Sequence, residues 1–289
     1  MPSNNSPLRY PGGKSQLFKY ISHILEINHL NHATYSEAFC GGAGVAISLL
    51  LNNKIKQVLL NDYDPAIYSI WYAILHHAQD LSQRINDTPV TLNEWYKQHT
   101  IYNELKDIHG YNFDLAWATF FLNRTNRSGI IEGGPIGGFE QISKYKIDCR
   151  FNKTKLIQKI QKIHALRNKI YLYNYDGIDF IHRILEPYQE EIFIFFDPPY
   201  FKQGKNLYKN ALNEKYHIEL SKCICNLQHK HWIVTYDNVD EIQELYNDCK
   251  GWKYKIRYTA NKKRSESELI YKSPLTQLES FERVVLERI

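Results

Sequence analysis

Short apolar runs alternate along the chain with longer stretches whose apolar residues recur every three to four positions. This pattern predicts strands at 34–39, 57–60, 169–173, 192–196 and 232–236, with helices at 44–52, 65–77 and 214–227. The run Ile192-Phe193-Ile194-Phe195-Phe196 contains no polar position, as a central strand covered on both faces requires. Strand–helix alternation of this kind predicts an α/β fold with a mostly parallel, doubly wound sheet. The tail departs from it: 254–258 and 268–271 read as two strands around a polar, basic loop, a C-terminal β-hairpin.

Roughly a hundred residues separate the second predicted strand from the third, far more than a crossover connection needs. Within them 93–106 and 115–122 read as helices, while 129–139 holds five glycines and a proline and reads as loop. The expected organisation is a main domain of 1–79 and 166–289, interrupted at 80–165 by a mostly helical inserted subdomain.

Composition narrows the class. With 43% hydrophobic residues in 289, the chain can bury a core, which excludes wholesale disorder. Its longest apolar runs, such as 45–51, are too short to span a bilayer, and Met1-Pro2-Ser3-Asn4-Asn5 lacks a secretory start. Five cysteines, an odd number with no zinc-type spacing, indicate reduced thiols and no metal. A cytoplasmic protein without membrane association is expected. The net charge of +5 is unevenly spread: residues 81–170 carry 14 basic against 8 acidic side chains, so the middle third holds the whole excess. A second cluster, 250–264, has seven basic residues and no acid. Two basic patches on a near-neutral body suit either a polyanion or a solvated lysine face.

Three segments carry candidate chemistry. Phe39-Cys40-Gly41-Gly42-Ala43-Gly44 follows a strand and opens a helix, where glycines admit a ligand to the backbone and helix N–H groups are unpaired. One strand later Asn61-Asp62 places an acid where ribose hydroxyls of a nucleotide-like ligand would lie. A nicotinamide dinucleotide fingerprint fails because Ile47 stands where glycine or alanine is needed. Pro11-Gly12-Gly13-Lys14-Ser15 fails as a phosphate loop, having Leu8 where the first glycine belongs. The most telling segment is Asp197-Pro198-Pro199-Tyr200, directly after the buried apolar strand. Two prolines turn the backbone out at the strand's carboxyl edge, where open α/β sheets bind ligands. There Asp197 and a proline carbonyl can accept two N–H groups of a planar amine, and the Tyr200 ring can cover its face.

Taken in order, Leu8-Arg9-Tyr10-Pro11-Gly12-Gly13-Lys14, Glu37-Ala38-Phe39-Cys40-Gly41-Gly42, Asn61-Asp62-Tyr63-Asp64, Asn123-Arg124, Asp197-Pro198-Pro199-Tyr200 and Glu268-Leu269-Ile270 span nearly the full length. This ordered set resembles the Dam-type, or alpha-group, adenine-N6 DNA methyltransferases. The resemblance implies a Rossmann-like domain of the S-adenosylmethionine-dependent methyltransferase type, with 80–165 as its target-recognition subdomain. It implies S-adenosylmethionine as cofactor, S-adenosylhomocysteine as product and double-stranded DNA as partner, with a cognate restriction endonuclease as a further candidate. A monomer or weak dimer is expected. By the same resemblance Tyr10 and Lys14 border the cofactor, Phe39, Cys40 and Gly41 turn beneath it, Asp62 holds its ribose, Asp176 faces its adenine, and Asp197 bridges cofactor and target.

In the insert Arg124, Arg127, Lys144, Lys146 and Arg150 are candidate DNA contacts, as are Lys262, Lys263 and Arg264 in the hairpin loop. The first glycine motif has alanine at position 38 where many relatives have proline. The segment 130–138 does not look like the one with which Dam reads GATC, so the target sequence does not carry over. Cytosine N4 or an RNA adenine are alternative acceptors, and a catalytically silent DNA-binding relative is a third reading. Adenine inside a duplex has its amino group paired, so the leading reading requires the base to be everted.

Overall fold

The computed structural model describes residues 5–9, 14–201, 213–258 and 264–289, leaving aside the side chains of 256–258 and 264–266. Tyr10, Lys262 and Lys263 lie outside the described residues, and Arg264 is described by its backbone alone. Five parallel strands form the body of an eight-stranded sheet: β1 (Thr34–Glu37), β2 (Gln57–Asn61), β3 (Ile170–Tyr173), β4 (Ile192–Phe196) and β5 (His231–Asp237). A hairpin of β6 (Gly251–Tyr258) and β7 (Arg264–Lys272) joins antiparallel through β7, and the short β8 (Glu287–Arg288) edges β6. The order β3-β2-β1-β4-β5-β7-β6-β8 is that of a Rossmann-like, doubly wound sheet extended by an antiparallel hairpin.

β4 is buried throughout, and its side chains divide between two cores. Phe193 and Phe195 join one together with Tyr35, Ile233 and Ile270. Ile192, Ile194 and Phe196 join the other with Trp232, Val234, Tyr236, Leu269 and Tyr271. This period-two split is what helices on both faces of a sheet demand. The first face is covered by α1 (Phe18–Ile27), α2 (Gly44–Leu51) and α3 (Pro65–His76), the second by α8 (Gly177–Phe180), α9 (Glu214–Asn226) and α10 (Asp240–Leu245).

Between α3 and β3 lie α4 (Ala78–Asp87), α5 (Leu92–Leu105), α6 (Phe113–Thr125) and α7 (Lys153–His164). Ten of the thirteen α6 residues are buried, including Trp117, Phe120 and Phe121, and they continue the core that holds α3. Side chains fix where these helices start: Thr91 accepts the Glu94 N–H, Asn112 that of Leu115, and Asn152 that of Lys155. The segment from Asn126 to Phe151 holds short 3₁₀ turns and one isolated bridge, Asn126 to Pro135, and its start lies against the irregular N-terminal residues, where Arg9 donates to the Asn126 carbonyl. There Asn123 accepts the Arg9 N–H at 2.9 Å and donates to the Arg9 carbonyl at 2.7 Å. Gly129, at φ +81°, lies so close that any Cβ would run into the Arg9 carbonyl oxygen.

No helix among the described residues is long and apolar enough to cross a membrane.

Candidate active site

The topology makes its switch between β1 and β4: from β1 the chain winds outward to β2 and β3, then returns to β4 on β1's other side and continues to β5. Loops leaving the carboxyl ends of these two strands therefore diverge and open a crevice. From β1 comes the glycine turn, with Gly41 at φ +45° and Ala43 at φ +43°. Both are left-handed, costly for the alanine, and Ala43 N-caps α2. Asp62, leaving β2, fastens this turn by accepting the Gly41 N–H at 2.8 Å, while its other oxygen accepts the Asp64 N–H at 3.1 Å. Burial, and then Asp64, pushes the Asp62 carboxyl up to about 7. Asn61 ties three strand ends together, donating to the Ala38 and Tyr175 carbonyls and accepting from the Tyr175 N–H. Asp176, past β3, caps α8 through the Ile178 N–H at 2.9 Å. Phe39 packs on Gly177, where a Cβ would come within 2.5 Å of the ring.

From β4 comes Asp197. Its Oδ1 accepts both the Thr235 hydroxyl at 2.8 Å and the Lys14 ammonium at 2.9 Å. Oδ2 takes no hydrogen bond among the described residues. Lys14, in the 3₁₀ turn ahead of α1, is almost wholly buried at 3% side-chain exposure and also lies 3.4 Å from Glu268 Oε1 on β7. It donates to the Tyr200 hydroxyl, which in turn donates to Glu268 Oε1. The Tyr254 hydroxyl from β6 donates to Glu268 Oε2. Phe201, next after the tetrad, is held through its N–H by Asp237 at 3.0 Å. One cation and two carboxylates thus share a pocket with two phenols at the end of β4. Burial raises the Glu268 carboxyl, with Lys14 opposing it.

The family model for D12 class N6 adenine-specific DNA methyltransferases matches residues 10–263, a span that contains the glycine turn, Asp62 and the whole tetrad. The chain belongs to this family. Among solved structures, this D12-class chain is similar to the rRNA methyltransferase AviRa from Streptomyces viridochromogenes, at 12% identity over 94% of this chain and 93% of that one, TM-score 0.41. It is also similar to a SAM-dependent methyltransferase from Agrobacterium tumefaciens, at 11% identity over 91% of this chain and 63% of that one, TM-score 0.41. At those scores neither likeness bears on the substrate. No curated protein matches the chain by sequence.

Within this methyltransferase the structure gathers Lys14, Asp197 and Tyr200 into one cluster and Phe39, Cys40, Gly41 and Asp62 into another beside it. Tyr200 is half-buried with its hydroxyl turned inward, and the Lys14 ammonium lies over its ring, 4.8 Å from the centroid. The basic candidates separate. Arg127, Lys144, Lys146 and Arg150 are exposed, whereas the Arg124 guanidinium donates to the Arg150 and Pro7 carbonyls. Burial, then Arg9 and Arg150, lowers Arg124 to about 10. Among the described residues no group of three or more His, Cys, Asp or Glu could hold a metal ion.

Sequence reasoning assigned no role to Glu268, Thr235, Tyr254 or Asp237. Only Glu268 carried a signal, a charged residue heading an otherwise apolar strand run. Glu37 was likewise passed over: its Oε1 accepts the Ala46 N–H at 3.1 Å and the Tyr35 hydroxyl at 3.2 Å. Burial pushes its carboxyl up to about 8 from an ordinary 4.5. The stability held by neutral Glu37 is therefore full below about pH 4.5 and lost as pH rises through about 8, up to about 5 kcal/mol. Glu37→Gln is expected to flatten that decline in denaturant midpoints taken from pH 5 to 9; an unchanged slope would assign it elsewhere.

Proposed function

We propose that this protein transfers a methyl group from S-adenosylmethionine to N6 of an adenine everted from duplex DNA. The observation that carries the reading is Asp197 at the β1/β4 crevice, with Oδ1 held by Thr235 and Lys14 and Oδ2 left for an incoming N–H donor.

The residues fit the cofactor. Asp62 can take the ribose hydroxyls, since it sits at the end of β2 fastened to the left-handed Gly41 of the glycine turn. Phe39, Cys40 and Gly41 form the floor, and Asp176 lies one strand further out, toward the adenine. The Asp197 carboxylate gives the crevice a negative charge, as a sulfonium cation prefers. When bound, S-adenosylmethionine supplies an electrophilic methyl group.

The chain's own work is on the acceptor. An exocyclic adenine nitrogen is a poor nucleophile because its lone pair is drawn into the ring. Oδ2 of Asp197 accepts one N–H and a carbonyl of the proline pair accepts the other, which localises the lone pair on nitrogen. The Tyr200 ring covers the purine, offsetting the few kcal/mol lost on unstacking. Fixed carboxylate and carbonyl groups meet the positive charge that grows on nitrogen without having to reorganise. No cysteine is called on as nucleophile.

The insert, 80–165, serves target recognition in this reading. Arg127, Lys144, Lys146 and Arg150 reach phosphates or base edges, and Lys262, Lys263 and Arg264 meet the backbone near the everted base. Arg124 instead braces the segment from beneath. The test is incubation with methyl-labelled S-adenosylmethionine and mixed-sequence duplex DNA or RNA, followed by nucleoside analysis. Label is expected on N6-methyladenine from DNA. Label on RNA alone, or on cytosine, would overturn the assignment.

A further inference from the structure

Glu268 is 1% exposed, lies on β7, and has no direct part in the scheme above, yet it is the point where three catalytic-site contacts converge. Its Oε1 accepts the Tyr200 hydroxyl and faces the Lys14 ammonium at 3.4 Å, and its Oε2 accepts the Tyr254 hydroxyl. Tyr254 stands on the neighbouring strand, cross-paired with Glu268 itself. A buried carboxylate is costly unless its oxygens are satisfied, and here both are. The antiparallel hairpin thereby grips, through one side chain, two residues at the crevice that lie 186 positions apart in the sequence.

We propose that Glu268 is a positioning residue for methyl transfer: it turns the Tyr200 hydroxyl inward, presetting the ring face, and holds Lys14 where that ammonium occupies Oδ1 of Asp197. The inference rests on the adenine-methyltransferase reading for its kinetics, but the orientation of Tyr200 is independent of any substrate. Glutamine at 268 keeps the shape and one acceptor while removing the charge that steadies Lys14 and the strong acceptor for both phenols. Tyr254→Phe removes one support of the carboxylate and leaves its charge.

The full chain carrying ¹³Cζ-tyrosine gives a Tyr200 signal identified by its loss in Tyr200→Phe. That signal is expected to move in Glu268→Gln and, less, in Tyr254→Phe. With labelled S-adenosylmethionine and plasmid DNA, Glu268→Gln is expected to lower kcat about 30- to 300-fold, with KM for DNA and the cofactor's Kd within about threefold. Adding Tyr200→Phe to Glu268→Gln is expected to cost less than a further threefold, because the two changes break one linkage. Should Glu268→Gln not fold, the Tyr254→Phe signal and kcat decide alone. An unmoved Tyr200 signal, an unchanged kcat, or losses that multiply would overturn the proposal. A wild type that moves no label into DNA while the Tyr200 signal still shifts would instead overturn the substrate reading and leave the positioning role standing.

Discussion

Asp197→Ala is expected to lower methyl transfer at least about a thousandfold while the cofactor's Kd stays within about fivefold. The asymmetry follows from where the carboxylate spends its bonds. Oδ1 is committed to Thr235 and Lys14, both from the protein, so only Oδ2 is available to a substrate. Removing an acceptor aimed at charge that develops in the transition state costs on the order of 10²–10³ in kcat. Losing the alignment of the everted base adds to that. The cofactor's ribose and adenine, by contrast, are assigned to Asp62 and Asp176, at the ends of other strands, which the substitution does not touch. Lys14 keeps Glu268 as a partner, so the fold should hold. Single-turnover transfer of labelled methyl beside equilibrium binding of the cofactor separates the two quantities. Residual transfer within tenfold of wild type would show that the amine is held elsewhere, and a matching loss of cofactor binding would place Asp197 on the donor instead.

Much of this arrangement could be read from the chain because it is local. A strand with no polar residue is central, and two prolines after it must turn out at the sheet edge; β4 and the tetrad stand where that argument places them. The glycine turn and Asp62 are legible for the same reason, each being the residue that follows a strand. Among the described residues five helices escaped: α1, α4, α7 and the short α8 and α10. In α7 only Leu156, Ile160 and Ile163 are buried, and the lysines between them hide the stripe. What periodicity cannot carry is the pairing of residues far apart. Lys14 and Asp197 are separated by 183 positions, and nothing near Lys14 marks it as buried rather than solvated. Arg124 was open to the same confusion. As a charge in a basic insert it suits a phosphate, but its guanidinium is turned back on the Arg150 and Pro7 carbonyls. The contacts of a long cationic side chain are decided by tertiary packing, which sequence spacing does not encode.

Lys14→Met is expected to destabilise the fold by about 3–5 kcal/mol at pH 8, the cost of leaving a buried ion-pair partner uncompensated. Methionine fills a similar volume, so the deficit is electrostatic rather than a cavity. Asp197 and Glu268 would then face each other with no cation between them, and the Asp197 charge already raises the Glu268 carboxyl with Lys14 in place. Relief comes through protonation. Burial already lifts the Glu268 carboxyl and Lys14 is what opposes the lift, so removing Lys14 sends it higher still. A group whose folded value is raised holds its stability below its unfolded value and loses it as pH rises through the folded one. The deficit of the variant should accordingly be small near pH 5 and widen toward pH 8. Urea titrations of wild type and variant at both values measure it. A deficit that is flat with pH would mean that Lys14 contributes packing alone, and one that grows on acidification would show that its charge does not compensate these carboxylates.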